Sequence, residues 1–134
     1  MTAILYPKFK QALLSPGINL ATAAVKAALV DTGMVSFSAA HEFLSDISTG
    51  IVGTPVALAN KSFANGVFDA DNVNFMAVPG PTSLEALVLF IDTGTPATSR
   101  LMEWHDEAPG LPVTSNGGDI PVNWSDGASK IFAL

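Results

Sequence analysis

The chain has 134 residues and a mass of 13.9 kDa, a length that suits one domain over residues 1–134. Apolar residues make up 49 % and charged residues only 13 %, which excludes intrinsic disorder. The net charge of -6 argues against nucleic acid or a membrane as a partner, and the absence of cysteine excludes disulfides and thiolate metal sites.

Two short helices are predicted in the first third of the chain. The first covers 6–17 and ends at a Ser-Pro-Gly sequence; its apolar residues recur at i, i+3 and i+7, and are Tyr6, Phe9 and Leu13. The second covers 38–47, with Ser38 as its cap; its apolar stripe is Ala40, Phe43, Leu44 and Ile47.

Strands are predicted over the rest of the chain, at 24–31, 54–59, 73–78, 85–91, 101–106, 120–124 and 130–134. The strand at 85–91 is apolar on both faces, so it lies either at the centre of the domain or under a second copy of the chain. Pro121 makes its strand an edge strand or delays its start. Asp126-Gly127 predicts a hairpin between the last two strands. The pattern favours a mainly β protein, an antiparallel sandwich or barrel with one or two short N-terminal helices.

Charge is distributed unevenly along the sequence. Residues 1–30 carry Lys8, Lys10 and Lys26 and no acid, a sum of +3, whereas residues 31–134 carry three basic and twelve acidic residues, a sum of -9. The positive charge therefore lies mainly in residues 1–20, a predicted helical arm that either packs on the β body or extends from it.

Two loops suggest catalysis. Asp31-Thr32-Gly33 and Asp92-Thr93-Gly94 each follow two apolar residues, as in the aspartic proteases, where two carboxylates share a proton and activate water. The alternative is turn chemistry, because Asp bonds its own backbone and Gly supplies positive φ. Pro96 directly after the second loop favours the turn. The sequence therefore predicts no catalytic residue, and the dimeric protease is a remote alternative.

Two other classes of site are weighed. His41 and His105 are the only histidines and neither has metal-ligand spacing, so no metal and no cofactor is predicted. Trp104 and Trp124 could stack on sugar rings in a carbohydrate-binding sandwich. Both alternate in phase with apolar residues, however, and this favours core packing.

Several stretches carry a family resemblance, above all Gly110-Leu111-Pro112-Val113-Thr114 and Asn116-Gly117-Gly118-Asp119-Ile120. Further matching stretches are 5–9, 12–14, 41–44, 66–71, 85–88, 92–95, 97–99 and 130–132. Together they resemble a family of small structural proteins of tailed bacteriophages, and within it the capsid cement or decoration proteins. The resemblance covers most of the chain and rests on turns and strands, with no active site to transfer.

The resemblance implies a jelly-roll-like sandwich and a homodimer that binds the major capsid protein on the outside of the head. It also implies a virion location after assembly in the host cytoplasm, and no enzymatic activity. A tail or head-to-tail joining protein is the alternative within this class. We expect Tyr6, Lys8 and Lys10 to contact the partner, so deleting residues 1–17 should abolish binding and leave a folded body.

Overall fold

A computed structural model describes residues 3–15, 18–20, 22–106, 113–124 and 131–133. The fold is mainly β, with antiparallel pairing throughout and one short α-helix, α1 (Pro7–Leu14). The strands are β1 (Ala3–Leu5), β2 (Val25–Val30), β3 (Ile51–Ala57), β4 (Val67–Phe68), β5 (Val73–Phe75), β6 (Ser83–Leu84), β7 (Ala86–Ile91), β8 (Arg100–His105), β9 (Val113–Thr114), β10 (Ile120–Val122) and β11 (Phe132–Ala133). Within the described part of the chain, no helix has the length and apolar character needed to cross a membrane.

A five-stranded sheet with the order β1-β8-β7-β2-β3 forms the centre of the molecule. Strand β7 lies in the middle, with Val88 opposite Trp104 of β8 and Ala28 of β2. All its residues from Ala86 to Phe90 are buried by the chain itself. The prediction of a strand buried on both faces is confirmed, and its central position removes the argument that a second copy covers it.

Three two-stranded ladders complete the β structure: β5 with β10, β4 with β11, and β6 with β9. The predicted C-terminal hairpin is wrong for the described residues, because β10 and β11 pair with β5 and β4 and not with each other. Its turn, at 125–128, lies outside the described residues. Pro121 lies opposite Asn74 in a strand with one neighbour, which confirms the edge position.

The second predicted helix, at 38–47, is wrong except for a single 3-10 turn at Leu44–Asp46. Phe43 is extended and forms a β-bridge with Arg100 at the start of β8. The Asp46 carboxylate accepts the backbone N–H of Phe43 at 3.0 Å, and the N–H of the preceding residue at 2.9 Å. These two amide donors hold the pKa of Asp46 below its usual value. Pairing with β8 therefore overrides the helical spacing of the apolar residues.

The N-terminal segment is an integral part of the fold. Strand β1 pairs with β8 and is an edge strand of the five-stranded sheet. The backbone N–H of Tyr6 donates to the Met102 carbonyl at 3.0 Å. Helix α1 follows, confirming the first predicted helix, and buries Phe9 against Phe132 with ring centroids 6.3 Å apart. Of the two arrangements predicted for the arm, the described residues show the packed one. The predicted helix end at residues 16 and 17 lies outside the described residues.

Candidate partner-binding surface

Helix α1 presents Lys8 and Lys10 to solvent on different sides. Successive residues of an α-helix are rotated by about 100°, so these two side chains point about 200° apart. Phe9, between them, faces the core and Leu13 lies on the same side, partly buried. The sequence placed both lysines on one arm correctly, but the helix separates them onto opposite flanks of its exposed face. A single ligand group cannot bind both.

Tyr6, the third predicted contact, is buried. Its side chain is 0 % exposed and its ring lies 5.1 Å from that of Phe37. Burial raises the pKa of the Tyr6 hydroxyl. Tyr6 therefore belongs to the core and cannot contact a partner directly. Deleting residues 1–17 would remove this core residue together with Phe9 and β1, so a folded body after that deletion is no longer expected.

Leu14 is the most exposed large apolar residue among those that the structure describes, at 90 %. It lies four residues after Lys10 on α1, so the two side chains are neighbours on the outer face of the helix. Sequence reasoning missed it as a contact residue. The signal was present, since Leu14 falls outside the stripe formed by Phe9 and Leu13 and must therefore point away from the core.

Among the described residues, positive charge without a partner is concentrated at α1. Lys26 forms an ion pair with Asp92 at 2.9 Å, and the Lys61 ammonium donates to the carbonyls of Leu20 and Ala23. In contrast, Lys8 and Lys10 form no ion pair with any described residue. Both ammonium groups are available to an acidic partner.

A groove separates α1 from the start of β8. Its first part is a cleft of about 340 Å³ lined on one wall by Lys8, Gln11 and Ser15 and on the other by Glu42 and Arg100. A second cleft of about 290 Å³ shares Arg100 and Ile18 with the first. The two clefts adjoin at these shared residues, and we call the two together the groove, with Arg100 where they meet.

The two Asp-Thr-Gly loops lie at opposite ends of the sheet. Asp31 follows β2 and Asp92 follows β7, and these strands are antiparallel with Val25 opposite Ile91. Each carboxylate accepts the N–H of the glycine two residues on, at 2.9 Å for Asp31 and 3.0 Å for Asp92. The Lys26 ammonium, and then the glycine amide, hold the pKa of Asp92 below its usual value. The predicted Asp-to-backbone bond is confirmed in both loops, whereas the predicted positive φ is present at Gly94 and not at Gly33. The structure does not bring the two carboxylates of one chain together.

Both tryptophans belong to the core. Trp104 is 4 % and Trp124 5 % exposed, which confirms the prediction of core packing and leaves neither as a platform for sugar rings. Trp124 donates its Nε1–H to the Asp71 carbonyl at 2.9 Å, and its ring stacks on that of His105 at 6.0 Å. Among the described residues, no group of three or more His, Asp or Glu is placed to hold a metal ion.

Glu103 is a buried acid that sequence reasoning did not single out. It lies in β8 between Leu5 of β1 and Leu89 of β7, and is 1 % exposed. Its Oε1 accepts no hydrogen bond from the described residues. Loss of solvation raises the pKa of Glu103 to about 8, so the carboxyl is mostly protonated at neutral pH. The available signal was the strand alternation, because Glu103 lies two residues after the apolar Leu101 and therefore on the same face of β8.

No model of a known protein family matches the chain, and no curated protein matches it. The features that bear on function are therefore the outer surface of α1, the groove beside it and the resemblance described above.

Proposed function

We propose that this protein is a non-enzymatic structural component of a phage virion, a cement or decoration protein that binds the major capsid protein on the outside of the head. It would be assembled onto the head in the cytoplasm of the bacterial host. The observation that carries the proposal is the outer face of α1, where Lys10 and the 90 % exposed Leu14 lie side by side at the edge of an acidic body.

The chemistry of this face suits adhesion to another protein. Burying a leucine side chain contributes roughly 1.5–3 kcal/mol, and the neighbouring ammonium group of Lys10 favours a locally acidic surface. One such contact is weak. Many copies on a symmetric shell each contribute, so the assembled layer does not need strong individual contacts. Apolar and cationic groups on one rigid helix therefore fit a shell-binding role.

The sandwich, or jelly roll, is proposed as the finer architecture. The buried faces of β7 and β8 support it, because a second layer must cover the sheet. The stacking of Trp124 on His105 also supports it, since this contact joins the end of β10 to the five-stranded sheet. In this proposal, the two-stranded ladders form the second layer.

Homodimerisation is part of the same proposal. Strand β7 does not support it, because that strand is covered within one chain. Sedimentation velocity of the purified protein would show whether two copies associate. A monomer at every concentration tested would remove the dimer from the proposal and leave the shell-binding role intact.

The decisive test measures binding to heads that lack the protein. The double variant Lys10→Glu, Leu14→Glu should lose co-sedimentation with such heads, because it replaces the cationic and apolar contacts by two carboxylates. The matched control is Met76→Glu, which places a carboxylate at another exposed apolar residue (65 % exposed) away from α1. It should bind like the natural sequence, provided that both variants retain its circular dichroism spectrum.

Binding of the double variant at the natural level would refute α1 as the contact face. Quantitative mass spectrometry of purified particles adds a second criterion. A decoration protein is present in numbers comparable to the shell subunit, whereas a tail or head-to-tail joining protein is present in far fewer copies. Absence from particles would refute the virion role altogether.

A further inference from the structure

We propose that the groove between α1 and the start of β8 binds an extended acidic peptide segment, with a carboxylate of that segment on Arg100. This inference rests on the proposed function, because the segment is assigned to the shell protein that α1 contacts. It goes further by naming a second site, distinct from the outer face of α1, and the chemistry of its ligand.

The Arg100 guanidinium is held in position from two sides. The ring of Phe43 lies behind it, with the guanidinium carbon 5.1 Å from the ring centroid. The backbone there is fixed by the Phe43–Arg100 bridge and by the N–H of Leu101, which donates to the Glu42 carbonyl at 3.0 Å. A planar guanidinium that is already oriented loses little entropy when it binds a carboxylate.

The hydrogen-bonding capacity of Arg100 is still available. Its ion pair with Glu42 is 4.0 Å long, well beyond the roughly 2.8 Å of a charge-assisted hydrogen bond. No described residue accepts a hydrogen bond from the guanidinium. Both groups are partly exposed, with side-chain exposures of 27 % for Arg100 and 32 % for Glu42. An incoming carboxylate can therefore form the two parallel hydrogen bonds that Glu42 does not form.

The shape and charge of the groove favour an extended chain over a small anion. It continues on both sides of Arg100, with the ammonium of Lys8 on one side and the hydroxyl-bearing Thr93 and Thr98 on the other. Ile18 and Ala12 supply apolar surface along it. A phosphate ion would fill only the cationic part. A peptide with a central carboxylate and small flanking residues would fill the whole length.

Arg100 is the only arginine of the chain, so its Nε–Hε group gives a single signal in a ¹H–¹⁵N NMR spectrum. We would titrate the protein with acetyl-Ala-Asp-Glu-Ala-amide and, as a matched control, with acetyl-Ala-Asn-Gln-Ala-amide. The acidic peptide should shift the Arg100 signal and the backbone signals of α1 in a saturable way. The neutral peptide should leave them unchanged.

Variants separate the groove from the outer face of α1. Arg100→Gln should weaken binding of the acidic peptide about tenfold or more. Arg100→Lys should also weaken this binding, because lysine keeps the charge and loses the paired donors. Lys8→Gln should weaken it several-fold. Lys10→Gln removes the same charge, but Lys10 lies on the opposite flank of α1. The affinity of this variant for the acidic peptide should therefore stay within about twofold of that of the natural protein. Circular dichroism would confirm that each variant is folded.

Three outcomes would overturn the inference. These are no shift with the acidic peptide, an equal response to the neutral peptide, and saturation by inorganic phosphate at the same concentration as the peptide. The last would show a simple anion site. The particle test distinguishes the two proposals. If Arg100→Gln loses the peptide but binds heads normally, the segment is not the shell protein's and the role of α1 stands. If the natural protein does not bind heads, the proposed function fails, while the peptide titration still decides the groove.

Discussion

Strand β7 and helix α1 both carry large apolar side chains, but they use them in opposite ways. Every residue of β7 from Ala86 to Phe90 is buried between β8 and β2. Helix α1 buries Phe9 and leaves Leu14 at 90 % exposure. The strand was the more apolar segment and therefore looked like the better candidate for an interface. In the structure the strand has no exposed apolar face, whereas the half-buried helix has an exposed apolar residue outside its stripe, so the helix is the better candidate for an interface.

The largest expected effect is a difference in stability between variants on the two sides of α1. Phe9→Ala removes a fully buried ring that contacts Phe132, and should lower the free energy of unfolding by about 3–5 kcal/mol. Leu14→Ala should change it by less than about 0.5 kcal/mol, because the side chain already lies in water. Urea denaturation of the two variants and the natural protein measures the difference. An equal loss in both would show that the outer face of α1 is covered in solution.

A second test concerns the interior of β8, next to β7. The folded pKa of Glu103 is about 8, above its ordinary value of 4.5, so the folded state holds a proton that the unfolded chain releases. This contribution to stability is complete below about pH 4.5 and is lost as the pH rises through about 8. A tenfold difference in proton affinity between the folded and unfolded states corresponds to about 1.4 kcal/mol, so the natural protein should lose several kcal/mol between pH 4.5 and pH 9.

Glu103→Gln removes the charge and should flatten this pH dependence, so that the variant is more stable than the natural protein at pH 9. Near pH 4.5 the two should agree within about 1 kcal/mol, since both side chains are neutral there. Glu85→Gln is the matched control, because Glu85 is exposed in the same part of the chain. The measurement is the free energy of unfolding of all three proteins as a function of pH. If the three values fall in parallel as the pH rises, Glu103 is not a buried neutral acid.

The smallest effect is expected just beyond the end of β7. Asp92→Asn removes the ion pair with Lys26, and the partial exposure of both groups limits the loss to under about 1 kcal/mol at pH 7. Because the pKa of Asp92 is lowered in the folded state, its contribution exists above its ordinary value near 4 and disappears as the pH falls below that. Natural protein and variant should therefore converge as the pH falls through the lowered pKa of Asp92. Asp31→Asn, which neutralises the carboxylate of the same kind of turn where there is no ion pair, is the control; an equal loss at pH 7 would assign the effect to the carboxylate in the turn and not to the ion pair.

Much of the central sheet was predictable because its strands are long and strongly apolar. The predicted strand at 24–31 contains β2, that at 85–91 contains β7, and that at 101–106 overlaps β8. Strands of two or three residues, such as β4 and β6, contain too little pattern to be recognised. At 38–47 the apolar spacing was right for a helix, but the bridge from Phe43 to Arg100 is a long-range contact that no local pattern encodes.

The candidate site was predicted in composition but not in geometry. The charge of residues 1–30 drew attention to Lys8 and Lys10, which the structure shows to be exposed, and the helical period could have added Leu14. Tyr6 could not be separated from them, because its burial depends on Phe37, far along the chain. The position of Arg100 in the groove could not be predicted from the sequence either. It lines the groove only because β8 starts where the 42–44 segment and α1 come together.

The contact between Phe9 and Phe132 joins the first helix to the last described strand. Helix α1 leaves the ribosome before β11, so its inner face lacks one of its aromatic neighbours until more than a hundred further residues have been synthesised. Contacts of such sequence separation slow folding, because a long loop must close before they form. The helix whose outer face we propose for shell binding therefore packs its inner face completely only after residue 132 has been synthesised.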